Sequence, residues 1–245
     1  MKKTVLMIAC ALATTVASAQ DMNSKKGTPI LPASGDWSIG IDASSLLNYA
    51  GNLMNGSNSA FMFDWQNPGV ITGKMMKDDN TAYRVGVRLG FGSTTEGTGD
   101  TTSGSLSETK VSGNNINLSA GLQMYRGQGR LKGYYGAEAG IGLAGAKTTN
   151  TYNGNAAAGE ELENKAGSTF GLNLRGFIGV EYFFAPKMSI SGEYGWGLGL
   201  SSTGEGEIKT ADGSGGSSSS KTGKSSSFGI DTDNAGGAIN LNFYF

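Results

Sequence analysis

The chain ends on a strictly alternating stretch, AINLNFYF, at residues 238–245. Isoleucine, leucine and two phenylalanines fall on one face of this stretch. Two asparagines and a tyrosine fall on the other. An apolar residue at every second position predicts a β-strand with one apolar and one polar face.

The same alternation recurs upstream. Together with the final stretch, it predicts eight strands, of which the second is the least cleanly patterned: 37–43, 69–77, 82–92, 115–125, 131–143, 168–184, 188–200 and 238–245. Three predicted connections are tight turns, at 78–80, 127–130 and 185–187. Four are long loops rich in Gly, Ser, Thr and Asn, at about 47–67, 95–113, 147–167 and 203–226. Short and long connections alternate, so antiparallel pairing would bring all tight turns to one end.

An even strand number, short turns at one end and long loops at the other are typical of bacterial outer-membrane barrels. We therefore expect an all-β fold, an eight-stranded antiparallel up-and-down transmembrane β-barrel. Such a barrel satisfies every backbone polar group without an open edge, as hydrocarbon requires. The alternative is a soluble barrel or sandwich that turns its apolar face inward, and periodicity alone does not distinguish the two.

Composition excludes several other classes. The 245 residues include 41 glycines, which argues against a helix bundle because glycine is costly inside helices. A formal net charge of −1 argues against nucleic-acid binding, which needs a basic surface. The chain has no histidine, the commonest general base and metal ligand. We expect no catalytic residue, no metal site and no cofactor, and hence no enzyme.

The first nineteen residues are typical of an export signal. Two lysines precede a short apolar run, and Ala17-Ser18-Ala19 follows it, which predicts a signal peptide at 1–19. A membrane-spanning helix is the alternative, but it needs about 20 apolar residues. The expected organisation is then a periplasmic N-terminal lead at 20–35 and a barrel at 36–245.

The sequence also resembles a known family. The segments 70–74 and 78–84 look like the second hairpin of small outer-membrane barrel proteins of the OmpX/OmpW type, which are common in Bacteroidota. The terminal aromatic strand, with Phe243 and Phe245, is similar to the signal read by the barrel assembly machinery. The resemblance implies an outer-membrane location in a Gram-negative cell, with lipid and lipopolysaccharide as neighbours and a monomeric state.

The polar faces of the predicted strands carry most of the candidate site residues: Asp42, Arg84, Arg88, Lys132, Glu138, Arg175, Glu181 and Glu193. Because an unpaired charge in a narrow interior is costly, we expect these residues to form a plugging network of salt bridges. Charges that line a conduction path are the alternative.

The expected function is structural or that of a cell-surface interaction protein that makes contact through its long loops. The alternative is a narrow channel, or a conduit for small hydrophobic solutes beneath an apolar loop at 47–67. The acidic stretch at 159–163 could hold a cation against lipopolysaccharide phosphate, but a solvated loop is the interpretation we prefer.

Overall fold

The computed structural model describes residues 23–42, 71–231 and 238–245. The predicted signal peptide and the loop at 47–67 lie outside these residues. The described chain is all-β, and none of it forms a helix that could span a membrane. Its strands are β1 (Trp37–Asp42), β2 (Ile71–Asp78), β3 (Thr81–Gly97), β4 (Leu106–Arg126), β5 (Leu131–Tyr152), β6 (Glu161–Lys165), β7 (Thr169–Ala185), β8 (Met188–Thr203), β9 (Glu207–Ala211), β10 (Ser217–Lys221), β11 (Ser225–Asp231) and β12 (Ala238–Tyr244).

Eight of these strands form a closed antiparallel ring. The order is β1–β2–β3–β4–β5–β7–β8–β12, and β12 pairs back onto β1. Ile39 of β1 lies opposite Phe243 on one side and Gly73 on the other. Eight antiparallel strands in chain order were predicted from the alternation, and this prediction is confirmed.

The three tight turns also lie where the sequence predicted them, between β2 and β3, β4 and β5, and β7 and β8. In the second turn Gly127 has a φ of 110°, which favours glycine. In the third turn Lys187 follows Pro186 with a φ of 58°, in the left-handed region. We call this end of the ring the short-turn end.

The prediction of long loops at 95–113, 147–167 and 203–226 is wrong for much of their length. Strand β4 begins at Leu106, β5 runs to Tyr152, and β6, β9 and β10 lie wholly inside these segments. Strand β6 pairs with β5 and β9, and β9 pairs with β10. The result is an upper sheet, formed by the distal parts of β3, β4 and β5 with β6, β9 and β10. These strands carry Ser, Thr, Gly and charged residues on both faces, so they lack the alternation that marks a strand.

The ring carries its apolar side chains on the outside. Cross-strand register aligns one row around it: Ile41, Ile71, Val87, Leu118, Ile141, Leu172 and Leu200. We call this outer surface the apolar band. On β4 it runs from Ile116 to Met124, about 26 Å along the strand. Many of its large side chains are about half exposed, such as Ile141 at 47%.

The segment before β1 closes the short-turn end. Ile30 is 2% exposed and packs in a cluster that includes Met76, Phe183 and Tyr244. Backbone hydrogen bonds fix the segment, from Gly35 N to Met76 O (2.8 Å) and from Lys187 N to Ile30 O (3.1 Å). Part of the expected N-terminal lead at 20–35, from Ile30 onwards, therefore packs against the ring.

An ion pair ties the same segment to the turn between β7 and β8. Lys187 Nζ donates to Asp36 Oδ2, and the Ala33 backbone N–H donates to the same oxygen at 2.7 Å. Partial burial acts to raise the pKa of Asp36, but the Lys187 and Ala33 hydrogen bonds outweigh it and leave the pKa below its ordinary value.

Candidate functional site

A lower cluster of polar side chains surrounds Glu181 inside the ring. The Glu181 side chain is fully buried. Lys74 Nζ lies 2.9 Å from Oε2, the Tyr125 hydroxyl donates to Oε2 at 2.8 Å, and the Tyr244 hydroxyl donates to Oε1 at 2.8 Å. The Ser189 hydroxyl donates to Oε1 as well. Each carboxylate oxygen thus has at least two donors, which offsets the cost of burying the charge.

An upper cluster joins two arginines to two glutamates. Arg84 donates to both carboxylate oxygens of Glu193, with Nη2 at 3.2 Å from Oε1, and its Nε lies 3.3 Å from Glu138 Oε2. Arg175 Nη1 lies 3.0 Å from Glu138 Oε1 and 2.7 Å from Glu193 Oε1. The cluster is neutral, and bidentate pairing of this kind is the strongest arginine–carboxylate geometry.

Both clusters cross the ring rather than run along its wall. Lys74 and Glu181 lie on β2 and β7, and Arg84 and Glu193 lie on β3 and β8. Neither pair of strands is adjacent in the ring. An eight-stranded ring has an interior just wide enough for side chains. These two salt bridges therefore span its full width, whereas Arg175 pairs with Glu138 and Glu193 on the adjacent strands β5 and β8.

Aromatic rings lie between the two clusters. The Arg84 guanidinium lies 4.6 Å from the centre of the Phe177 ring, and the Arg175 guanidinium lies 5.7 Å from it. The Tyr134 hydroxyl donates to Glu193 Oε2 at 3.2 Å, while its ring packs edge-on against Tyr125 at 5.9 Å. These contacts make the two clusters one continuous packed interior.

The structure brings five of the eight predicted charged residues into the two clusters, with Glu138 and Arg175 among them. Lys132 is buried at the side of the lower cluster, opposite Glu181 in the β5–β7 ladder. Its Nζ lies 5.7 Å from the centre of the Tyr125 ring and donates to the backbone carbonyl of Asp79 at 3.1 Å. Arg88 lies on the same face of β3 as Arg84, farther from the short-turn end. The backbone of Asp42 pairs with Asn240, but its side chain lies outside the described part of the chain.

Sequence reasoning missed several members of these clusters, chiefly Lys74 and Tyr125. Lys74 alternates with Gly73 and Met75 and so lies on the inward face of β2. The alternation around Lys74 could have revealed this position. The second strand as a whole, however, is too weakly patterned for its inward face to be assigned from the sequence. Tyr125 was placed correctly on the polar face of its strand, yet a tyrosine there gives no sign that its hydroxyl meets a buried carboxylate.

The terminal aromatics that resemble an assembly signal lie on the outer face of β12. The Phe245 ring stacks on Trp37 of β1, with ring centres 4.7 Å apart. Phe243 lies opposite Ile39 and Met188. The chain's last residues therefore complete the seam that closes the ring.

Comparison with known proteins adds no family to this description. A scan against protein-family models finds no match to the chain, and a search of curated proteins finds none either. Among the described residues, no group of three or more His, Cys, Asp or Glu side chains could hold a metal ion.

Proposed function

We propose that the protein is an integral outer-membrane β-barrel with a structural or cell-surface interaction role. The observation that carries this proposal is the polarity of the ring. Charged residues such as Glu181 and Lys74 are buried inside it, while the apolar band faces outward. In water this arrangement exposes apolar surface at a cost of about 25 cal/mol per Å². In hydrocarbon the same surface carries no such cost. A soluble ring would instead turn its apolar side chains inward.

Three features support a membrane setting. The apolar band measures about 26 Å along β4, or about 20 Å in height at the 35–45° tilt of barrel strands, against roughly 25 Å for the apolar band of outer-membrane barrels. Trp37 and Phe245 stack at the short-turn end of the ring, where an aromatic girdle suits the membrane interface. Pairing of β12 back onto β1 also closes the ring of described strands, as a barrel in hydrocarbon requires.

The upper sheet is the part of the molecule suited to surface contact. Beyond the apolar band β4 continues through nine polar-rich residues, 106–114, or about 30 Å along the strand. The expected neighbours of the barrel remain outer-membrane lipid and lipopolysaccharide, with the barrel assembly machinery acting on Phe243 and Phe245 during biogenesis. We propose a monomer, with any surface partner bound through the upper sheet and its hairpin tips.

A narrow channel or a conduit for small hydrophobic solutes is the alternative function. The cross-ring pairs between Arg84 and Glu193 and between Lys74 and Glu181 count against it, because they occupy the path that a solute would take. The Ile30 cluster lies across the short-turn end of the same path.

The test combines two measurements on one purified sample in detergent. A folded barrel migrates faster in an unheated gel than after boiling, and a plugged one gives no conductance steps in a planar bilayer. We expect the gel shift without conductance. Reproducible steps, abolished by Arg88→Ala, would favour the channel. Absence of the shift, in protein that stays soluble without detergent, would reject the membrane barrel.

A further inference from the structure

A groove of about 410 Å³ lies where the upper sheet meets the apolar band. Its lining includes Phe91, Ser112, Asn114, Lys147, Lys165 and Ser168. Register places Phe91, Asn114 and Gly145 in one row, directly above the row of Leu89, Ile116 and Leu143. The groove therefore opens on the outer face of the wall, and its lower border is apolar.

A glycine helps to form the floor of this groove. A Cβ atom at Gly145 would lie 2.8 Å from Asn114 Oδ1, closer than real contacts allow. The Asn114 amide lies over Gly145 in the space that a side chain would fill. At β4 and β5 the row between the band and the lysines is thus shallow and polar, and Phe91 of β3 is its apolar end.

Two lysines face each other across the upper border. Lys147 of β5 and Lys165 of β6 are direct cross-strand partners on the outer face. Like charges placed directly opposite each other in a sheet are destabilising. Lys147 is engaged on its other side by Glu163, at 2.9 Å. Lys165 has no carboxylate within 4.0 Å among the described residues, and Glu207 opposite it accepts from the Ser219 hydroxyl at 2.6 Å instead.

The surface around this pair is cationic as well. Two neighbouring rows across β4, β5, β6, β9 and β10 contain Lys110, Lys147, Lys165, Lys209 and Lys221 against Glu163 and Glu207. Beside them Glu205 pairs with Lys221 at 3.2 Å, and Glu163 also pairs with Lys209 at 3.5 Å, which leaves an excess of two lysines. This excess stands out in a chain whose formal net charge is −1. The positive rows lie immediately above the part of the wall that is apolar.

We propose that this groove binds the phosphate group of an anionic lipid of the outer leaflet, between Lys147 and Lys165, with the acyl chains along the apolar band. The site rests on the proposed function, because only a barrel with its band in hydrocarbon holds the groove at headgroup level. A phosphate between the two ammonium groups removes their repulsion, and lysines beside an anionic membrane surface attract its headgroups. Phe91, 62% exposed, supplies the apolar contact below the phosphate.

The experiment compares two forms of one glycolipid, a phosphorylated lipid A and the same molecule after enzymatic dephosphorylation. Binding to the folded protein in detergent is measured by native mass spectrometry, with Lys147→Gln/Lys165→Gln as the test variant. We expect the wild type to prefer the phosphorylated form, and the variant to bind it roughly tenfold or more weakly. The control is Lys25→Gln/Lys26→Gln, which removes the same two charges from exposed positions in the segment before β1 and leaves binding unchanged.

Other results would contradict the proposed phosphate site. Equal binding of both glycolipids by the wild type, or equal losses in test and control variants, would show that the lysine pair does not recognise phosphate. Competition by inorganic phosphate at the concentration of the lipid would assign the groove to a soluble anion instead. Glycolipid binding is measured only on protein that shows the heat-dependent gel shift, so that the outcomes above refer to a folded barrel. Loss of that shift in the wild type marks failure of the barrel proposal itself.

Discussion

Glu181 contacts more donors than any other carboxylate described here, and its replacement is the sharpest test at the residue scale. Glu181→Gln removes the charge that pairs with Lys74 and leaves a buried ammonium group without its counter-ion. Breaking a buried pair from one side costs about 3–5 kcal/mol. We expect the temperature at which the folded gel band disappears to fall markedly. The double variant Glu181→Gln/Lys74→Met should recover part of the loss.

Glu205 provides the matched control. Its carboxylate pairs with Lys221 at 3.2 Å, but both side chains are well exposed. Exposed pairs contribute about 0–1 kcal/mol, so Glu205→Gln should leave the transition almost unchanged. Equal effects of the two substitutions would mean that Glu181 is not held in a dry interior.

The residue scale also shows what the sequence could reveal of the site. Period-two alternation put Arg84, Arg175 and Glu193 on the polar faces of their strands. The expected membrane barrel turned those faces inward, where electrostatics required the charges to pair. Arg84 meets Glu138 and Glu193 on strands that are not adjacent to β3, so this pairing depends on the stagger of the ring, which alternation within a strand does not show. Arg175 pairs with Glu138 and Glu193 on the adjacent strands β5 and β8, in a register that alternation does not fix either. In the Glu181 cluster, Lys74 was missed because its strand is weakly patterned.

At the scale of elements, the segment before β1 is held by a pair that responds to pH. The pKa of Asp36 is depressed, so the stability it contributes is present above its unfolded pKa and is lost as pH falls through the folded value. We expect Asp36→Asn to lower the thermal midpoint at neutral pH. The difference from wild type should disappear as pH falls below about 4. Thermal transitions followed by circular dichroism across this range provide the measurement.

The partner residue makes this prediction specific. In a Lys187→Met background Asp36 has lost its cation, so Asp36→Asn should have a smaller effect at neutral pH. An unchanged effect would assign the role of Asp36 to its contact with the Ala33 backbone.

At the same scale, strands β6, β9 and β10 were not predicted from the sequence. The ring strands were found because one face is apolar and the other lines a packed polar interior. Strands β6, β9 and β10 are polar on both faces, and β10 is Ser-Ser-Ser-Ser-Lys. Their pairing comes from extension of neighbouring strands, since β6 continues the ladder of β5 beyond β7. A local pattern cannot show a strand whose order is imposed by its neighbours.

At the scale of the whole molecule, two outward tryptophans of the described residues can test whether the ring lies in a bilayer as proposed. Trp196 is 54% exposed within the apolar part of β8, and Trp37 lies at the short-turn end beside Phe245. In variants with a single tryptophan, we expect lipids brominated at mid-chain to quench Trp196 more than Trp37. Lipids brominated near the headgroup should give the reverse order. Equal quenching by both lipids would mean that the band does not span the bilayer as proposed.

The seam between β1 and β12 has a consequence for the order of assembly. It joins residues 38–42 to residues 240–244, so almost the whole chain lies between the paired strands. Contacts so distant in sequence form slowly, because the loop entropy is lost before any pairing is gained. Before residues 238–245 pair, β1 and β8 each have an unpaired edge at the seam. A chain that stopped before Ala238 would therefore have two unpaired strand edges beside an apolar surface, and such edges promote aggregation. Pairing of β12 with β1 and β8 removes both edges.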